Sequence, residues 1–447
     1  MIAMTLAEIA QVVGGAVHGS DGQEVVRHVV IDSRAARSET LFVAIAGERV
    51  DGHGYAAAAQ EFGAVGTIGS RVVDGPCIVV EDVTTALGQL ARHQLDGSAA
   101  TVLAITGSQG KTSVKDLLAR VLAGAGPTIA PLGSFNNELG VPLTVLRLDE
   151  QTQFVIAEMG ARGIGHIEVL CQIAPPSIGL VLNVGTAHVG EFGSANAIAQ
   201  AKGELIESLP VDGTAVLNAD DPRVLAMRDR TVAGVLTFGT TGDVRLGEVC
   251  LDSLGEPHFT LEHEGQCVEV HLPQMGAHHA INAAAAAAAA VAAGLDLADI
   301  AGRLGTAVAE SPMRMARATR TDGLLVVNDA YNANPESMAA ALRAVAAVPR
   351  RRKVAVLGEM LELGDASREA HLSIGRLARE LGFDRVVVVG DGAAGIADGA
   401  GDIADLVSDV DVAIGTLSAW LSAEDVVVVK ASRGCRLERV ADGLLSR

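Results

Sequence analysis

The chain has 447 residues, with 54 acidic and 34 basic side chains and a formal charge of −20. That balance excludes nucleic acid or an anionic membrane as the main partner, and leaves any anionic ligand to local cations and helix N-termini. Apolar residues make up 49% and aromatics 2%, so the core must be built from Ala, Val and Leu, and the length predicts about three domains.

Residues 1–8 lack the basic flank and long apolar region of a signal peptide. Residues 1–98 then alternate strand-like runs (25–31, 41–45, 77–80) with a helical segment at 55–62, a small α/β domain without a nucleotide loop. Asp32-Ser33-Arg34 follows the first run, and Asp51-Gly-His53 sits in a polar turn. Arg34 reads equally as a phosphate partner or a surface charge. Asp96-Gly-Ser98 reads as a linker.

A βα alternation begins at Thr101 and carries a second domain over 99–314. Runs at 102–105, 154–157, 178–182, 215–217 and 235–238 predict a largely parallel sheet covered by helices. In such sheets ligands bind beyond the carboxyl ends of the strands. The first run leads into Thr106-Gly-Ser-Gln-Gly-Lys-Thr-Ser113, and Val114, Leu117, Leu118, Val121 and Leu122 then recur at the spacing of a buried helix face. Strand, glycine loop and helix with Lys-Thr at its start form a phosphate cradle. Gly107 and Gly110 turn the backbone so that the N–H groups of Ser108, Gln109 and their neighbours point inward. Lys111 reaches the terminal phosphates, and Thr112 or Ser113 offers a hydroxyl to Mg²⁺. Ile105 stands where the general phosphate-loop pattern has its first glycine.

Other polar residues follow the remaining strands. Glu158, in Glu-Met-Gly after 154–157, is placed as a Mg²⁺ ligand beside that loop. His188, in a glycine-bearing loop after 178–182, reads as ligating or structural. Lys202 reads from its surroundings as a solvated lysine on a helix. Residues 243–272 alternate loosely and predict an antiparallel appendage, and the alanine-rich stretch at 280–293 predicts a closely packed helix, too short to cross a bilayer.

A third βα pattern occupies 315–447, with apolar runs at 324–327, 354–357, 386–389 and 426–429. No G-x-G-x-x-G follows any of them, so a Rossmann-like shape without a dinucleotide site is expected. The basic run 350–353 reads as a solvated corner. The five cysteines are odd in number and in no metal-binding spacing, and read as buried, reduced thiols of a cytoplasmic protein with no membrane insertion.

Six segments appear in order: Thr106-Gly-Ser-Gln-Gly-Lys-Thr, Asn136-Asn137-Glu-Leu-Gly-Val-Pro-Leu, Glu158-Met-Gly-Ala-Arg, Asn183-Val-Gly-Thr-Ala-His188, Ala201-Lys-Gly-Glu and Asp329-Ala-Tyr331-Asn332-Ala-Asn334-Pro. Together they resemble the Mur ligases of peptidoglycan synthesis, over nearly the whole chain. The stretches 136–142 and 331–335 point to the branch that adds D-Ala-D-Ala. The resemblance implies three domains: 1–98 for the UDP-muramoyl peptide, 99–314 for ATP, and 315–447 for the incoming dipeptide.

It also implies roles. Lys202 would be carbamylated and, with Glu158, His188 and Thr112, would hold two Mg²⁺. Lys111, His188, Lys202 and Arg314 would serve catalysis. Asn282 would contact adenine, with Arg314 on the phosphates and Asp329, Tyr331 and Asn332 closing over the nucleotide. Ser33, Arg34, Asp51 and His53 would meet the UDP end, Asn136, Asn137 and Asn334 the rest of the substrate, and Ser432 and Arg433 the dipeptide. The implied reaction joins D-Ala-D-Ala to UDP-N-acetylmuramoyl-tripeptide through an acyl phosphate, in a monomer whose C-terminal domain closes on ATP. His279, Asn328 and Ser33 depart from the family's usual Asn, acid and Thr. The alternatives are a ligase of the same scaffold adding one amino acid to a muramoyl peptide or glutamates to folate, and a nucleotide switch. The chain lacks the Asn-Lys-x-Asp signature of the switch.

Overall fold

The computed structural model describes residues 1–47, 50–185, 192–307 and 311–446. Unbroken runs of β-branched and small apolar residues form strands buried on both faces, as parallel sheets require. Three main sheets result. The first has five strands in the order Ala16–His18, Cys77–Val79, Ala64–Gly69, Thr40–Val43 and His28–Val30, with only the first pair antiparallel. The run at 25–31, expected as one strand, divides at Arg27. Val25–Val26 pairs with Met4–Thr5 in a separate ribbon, while the N–H groups of Arg27 and His28 both reach the Glu39 carbonyl.

The central sheet has ten strands. Its parallel part runs Thr128–Ile129, Phe154–Glu158, Thr101–Thr106, Ile178–Val181, Thr214–Asn218, Gly234–Gly239 and Val244–Leu246. The antiparallel strands expected in 243–272 are present (Cys250–Leu251, Pro257–His263, Gln266–His271). They continue this sheet through Val244–Leu246 rather than forming a separate appendage.

Period-two alternation splits the strand Thr101–Thr106 between two cores. Val102 and Ala104 face one that is continuous with the N-terminal residues Leu6, Ile9, Leu87 and Leu90. Leu103 and Ile105 face another, containing Val114, Leu117, Leu118 and Val121 of the helix Lys111–Ala123 together with Ala283–Ala290. The helix His278–Ala292 owes its close packing there to alanine, whose single methyl lets backbones approach.

The third sheet orders Ala316–Thr319, Leu325–Asn328, Val426–Lys430, Lys353–Leu357, Arg385–Val389 and Ala404–Val407, parallel except for its first pair. Two strands beyond the four expected lie at its edges, half-exposed and without the apolar run that marks a buried strand. Two further expectations are corrected. Arg352 of the basic run stacks on Trp420 at 3.9 Å and pairs with the buried Asp425 at 2.7 Å, so it is structural. Cys250 and Cys267 are exposed, whereas Cys77 and Cys171 are buried. No described helix is long and apolar enough to cross a membrane.

Candidate active site

The helix Lys111–Ala123 begins directly after Gly110, whose φ of +82° is a left-handed conformation that L side chains rarely adopt. A Cβ there would also lie 2.9 Å from Asn282 Oδ1, so Gly110 is required twice over. The loop is held from the next strand. The Gln109 N–H donates to Asn183 Oδ1 at 3.0 Å, Asn183 Nδ2 donates to the Gln109 carbonyl at 3.2 Å, and the Gly185 N–H donates to Ser108 Oγ at 2.9 Å. Lys111 folds over the loop and donates to the Gly107 carbonyl at 2.7 Å. Burial lowers the pKa of its amine, with the nearby Glu158 carboxylate opposing and Arg314 reinforcing that shift. A polyanion in the cradle would offset the first effect.

Thr112 Oγ1 donates to Glu158 Oε2 at 3.0 Å, and Asn136 Nδ2 donates to Glu158 Oε1 at 2.8 Å. Glu158 is 1% exposed, at the end of the strand beside the loop's own. Arg314 reaches the same point from the start of the third sheet, 3.4 Å from both Thr112 Oγ1 and Ser134 Oγ, and lies over the Tyr331 ring at 4.3 Å. Its Nε is buried without a hydrogen-bond partner among the described residues, as suits a group awaiting an anion. Lys202 is buried rather than solvated, correcting the expectation from its surroundings. Burial, then the charge of Lys111, pushes its amine pKa well below the ordinary lysine range.

The third sheet faces this ensemble with the carboxyl ends of two adjacent strands. Asp329, after Leu325–Asn328, accepts from the Met315 N–H at 3.0 Å and pairs with Lys430 Nζ at 2.6 Å. Lys430 also donates to the Asn332 carbonyl at 2.8 Å. Ser432 Oγ accepts from the Leu361 N–H at 3.0 Å, and Arg433 pairs with Glu438 at 2.9 Å. Between the two sheets lies a cleft of about 910 Å³, lined by the whole loop from Gly107 to Ser113, by Asn136, Asn137, Glu158, Lys202, Asn282 and Arg314, and by Asp329, Tyr331, Asn332, Asn334, Ser432 and Arg433.

Three family models match the chain. The Mur ligase middle domain covers residues 105–290, the Mur ligase glutamate ligase domain covers 313–433, and the Mur ligase family catalytic domain covers 25–95. The UDP-N-acetylmuramoyl-tripeptide–D-alanyl-D-alanine ligase of Mycobacterium tuberculosis (strain H37Rv) is 45% identical, over 100% of this chain and 98% of its own length. The chain belongs to the Mur ligase family. A crystal structure of MurF from Acinetobacter baumannii superposes on this Mur ligase with a TM-score of 0.91 at 32% identity, over 100% of this chain and 99% of that one. MurF ligase from Thermotoga maritima in complex with ADP gives a TM-score of 0.82 at 31% identity, over 94% and 97%.

Not every anticipated residue of this Mur ligase joins the cleft. Ser33, Arg34, Asp51 and His53 lie in two short 3₁₀ turns beside the N-terminal sheet, outside the cleft's lining. Arg34 is 82% exposed and folds onto Asp32 at 2.7 Å, which holds that carboxyl down at about 2. His53 is buried, with Nδ1 2.6 Å from Asp51 and Nε2 accepting from the Ser70 N–H at 2.9 Å, which fixes the Nδ1–H tautomer. Asn137 and Asn334 line the cleft but commit their Oδ1 atoms to the Gly140 and Ser337 N–H groups, so local capping is one of their tasks. His188 lies outside the described residues.

Sequence reasoning missed Ser134 and Lys430, and gave no role of their own to Asn183 and Glu204, which stand in the segments quoted above. Lys430 had a signal, a charge closing an otherwise all-valine strand. Glu204 accepts from the N–H groups of Gly165, Ile167 and Glu168 at 2.6, 3.1 and 3.1 Å, which seats the helix His166–Ile173 against the helix carrying Lys202. Between Lys202 and Glu204, Gly203 leaves room for the Arg230 guanidinium, which any Cβ would strike.

Proposed function

We propose that this Mur ligase joins D-alanyl-D-alanine to UDP-N-acetylmuramoyl-tripeptide at the expense of ATP, in the cytoplasm and as a monomer. The observation that carries the reading is a single cleft in which a phosphate loop, a buried carboxylate and an unpaired arginine donor face the strand ends of a second α/β sheet. The tripeptide carboxylate attacks the γ-phosphorus of ATP and ADP leaves. The dipeptide amine then attacks the acyl phosphate carbonyl, sheds a proton and expels phosphate. Loop N–H groups and Lys111 bind the phosphates, and Arg314 offsets charge that develops on the transferred group. Residues 1–98 would take the UDP end through Ser33, Arg34, Asp51 and His53. Residues 99–314 would take ATP, with Asn282 at the adenine and Asp329, Tyr331 and Asn332 over it. Residues 315–447 would bring the dipeptide through Ser432 and Arg433, with Asn136, Asn137 and Asn334 on the intervening peptide. Closure of this last domain on ATP is part of the proposal, read as compaction in solution scattering.

The Thr112 hydroxyl against the buried Glu158 carboxylate is a hard-oxygen donor set that fits Mg²⁺. Lys202 and His188 are proposed for a second ion, with Lys202 as its carbamate. Burial favours the neutral amine, which is the form that adds CO₂. When bound, the metal neutralises charge on the phosphoryl oxygens.

The test is ADP release by the purified chain with ATP, Mg²⁺ and UDP-N-acetylmuramoyl-tripeptide, run with D-Ala-D-Ala, with single amino acids and with no amine. Turnover confined to D-Ala-D-Ala, with the pentapeptide product seen by mass, is expected. Turnover with a single amino acid would keep the scaffold and change the acceptor. Turnover indifferent to both substrates would leave a nucleotide hydrolase.

A further inference from the structure

The antiparallel end of the central sheet carries a cluster that the ligase reaction does not use. His258 and His271 are directly opposed across the strands Pro257–His263 and Gln266–His271, so their side chains share a face. Their rings stack with centroids 4.1 Å apart and planes 6° from parallel. Asp252, in the turn before Pro257, presents Oδ2 to both, 4.0 Å from His258 Nε2 and 3.8 Å from His271 Nε2. Glu256 Oε2 lies 3.0 Å from His271 Nε2. None of the four lines the cleft.

We propose that Asp252, His258 and His271, with Glu256 beside them, form a binding site for a divalent transition ion of the zinc class, separate from the catalytic cleft. Two imidazoles and a carboxylate are the donor set that such ions favour over Mg²⁺ or Ca²⁺. The donor atoms all lie within 4.8 Å of one another. Tetrahedral zinc bonds of about 2 Å place donors roughly 3.3 Å apart, so the donor atoms must draw together by about 1 Å and the two stacked rings must turn until both Nε2 lone pairs point at one ion. The imidazoles are free to do so, being 50% and 47% exposed.

The carboxylates are already oriented. Asp252 Oδ1 accepts from the N–H groups of Leu254 and Glu256 at 2.8 and 2.9 Å, which turns Oδ2 toward the rings. Arg317, from the first strand of the third sheet, binds Glu256 Oε1 and leaves Oε2 facing His271. Such outer partners distinguish a built site from residues that happen to be near one another.

The test is Zn²⁺ binding to the full chain in competition with a chromophoric chelator, in excess Mg²⁺. The wild-type chain is expected to bind one Zn²⁺ more than His258→Gln or His271→Gln. Asp252→Asn keeps the Oδ1 acceptor of the turn, and with it the fold, and is expected to weaken that equivalent by more than about tenfold. Ligase activity in Mg²⁺ should be unchanged in all three. Equal zinc stoichiometry in the wild type and both histidine variants would overturn the proposal, as would loss of the same equivalent in Glu158→Gln, which would assign the ion to the cleft.

Discussion

Lys430→Met tests the contact that joins two strands of the third sheet at the cleft. Lys430 and Asp329 are 3% and 10% exposed, and the amine donates at 2.6 Å to the carboxylate and at 2.8 Å to the Asn332 carbonyl. Burial lowers the pKa of the Lys430 amine, with Asp329 opposing and Arg314 reinforcing, so the pair is held against a desolvation cost. Removing the lysine leaves that cost on Asp329 with no counter-charge. Breaking such a pair destabilises by about 3–5 kcal/mol, which for a domain of this size lowers the melting temperature by on the order of 10 °C. Thermal and urea unfolding followed by circular dichroism measure it directly. Lys430→Met with Asp329→Asn removes the orphaned charge while keeping an acceptor for the Met315 N–H, and should recover more than half of the loss. A single-variant loss below about 1 kcal/mol, or a double variant no more stable than the single, would refute the reasoning.

Three further outcomes follow from the geometry. Asn183→Ala removes both hydrogen bonds to Gln109, about 0.5–1.5 kcal/mol each, and should raise KM for ATP about tenfold with the fold intact; an unchanged KM would mean that the loop keeps its shape unaided. Gly110→Ala forces a side chain into the left-handed region, costing about 1–2 kcal/mol, and presses its methyl on Asn282. Calorimetry should show ATP binding weakened at least tenfold, and binding equal to wild type would contradict the close approach. Burial pushes the His278 imidazole from 6.5 down to about 4, with Asp329 opposing and Lys430 reinforcing. The unfolded chain therefore binds the extra proton below 6.5, and folding stability declines as pH falls from there toward 4, by about 2 kcal/mol at pH 5 from this group. Urea unfolding at neutral pH and near pH 5 should show His278→Gln losing that share of the slope, and an unchanged slope would show that the folded imidazole already carries the proton.

Local signals make much of this protein legible in its sequence. The phosphate loop could be read because strand, glycines, lysine and helix face are contiguous, and the backbone conformation that Gly110 needs is written in that one residue. Most strands buried on both faces announced themselves as unbroken apolar runs, from residues 102–105 to 426–429, but the buried inner strand Ala64–Gly69, broken by Gly66 and Thr67, did not. The edge strands Ala316–Thr319 and Ala404–Val407 did not, because a half-exposed strand needs no such run. Site residues were legible as motifs, and their resemblance to a ligase family supplied roles that spacing could not. Tertiary structure alone decided the rest. Lys202 looks solvated in its own helix, yet it is buried in a helix that Glu204 and Arg230 tie to its neighbours. Arg314 meets Thr112 across 202 residues, and Lys430 meets Asp329 across 101. Whether a charged side chain is solvated, paired or held ready for a ligand depends on what the rest of the chain folds around it, and no window of neighbouring residues contains that information.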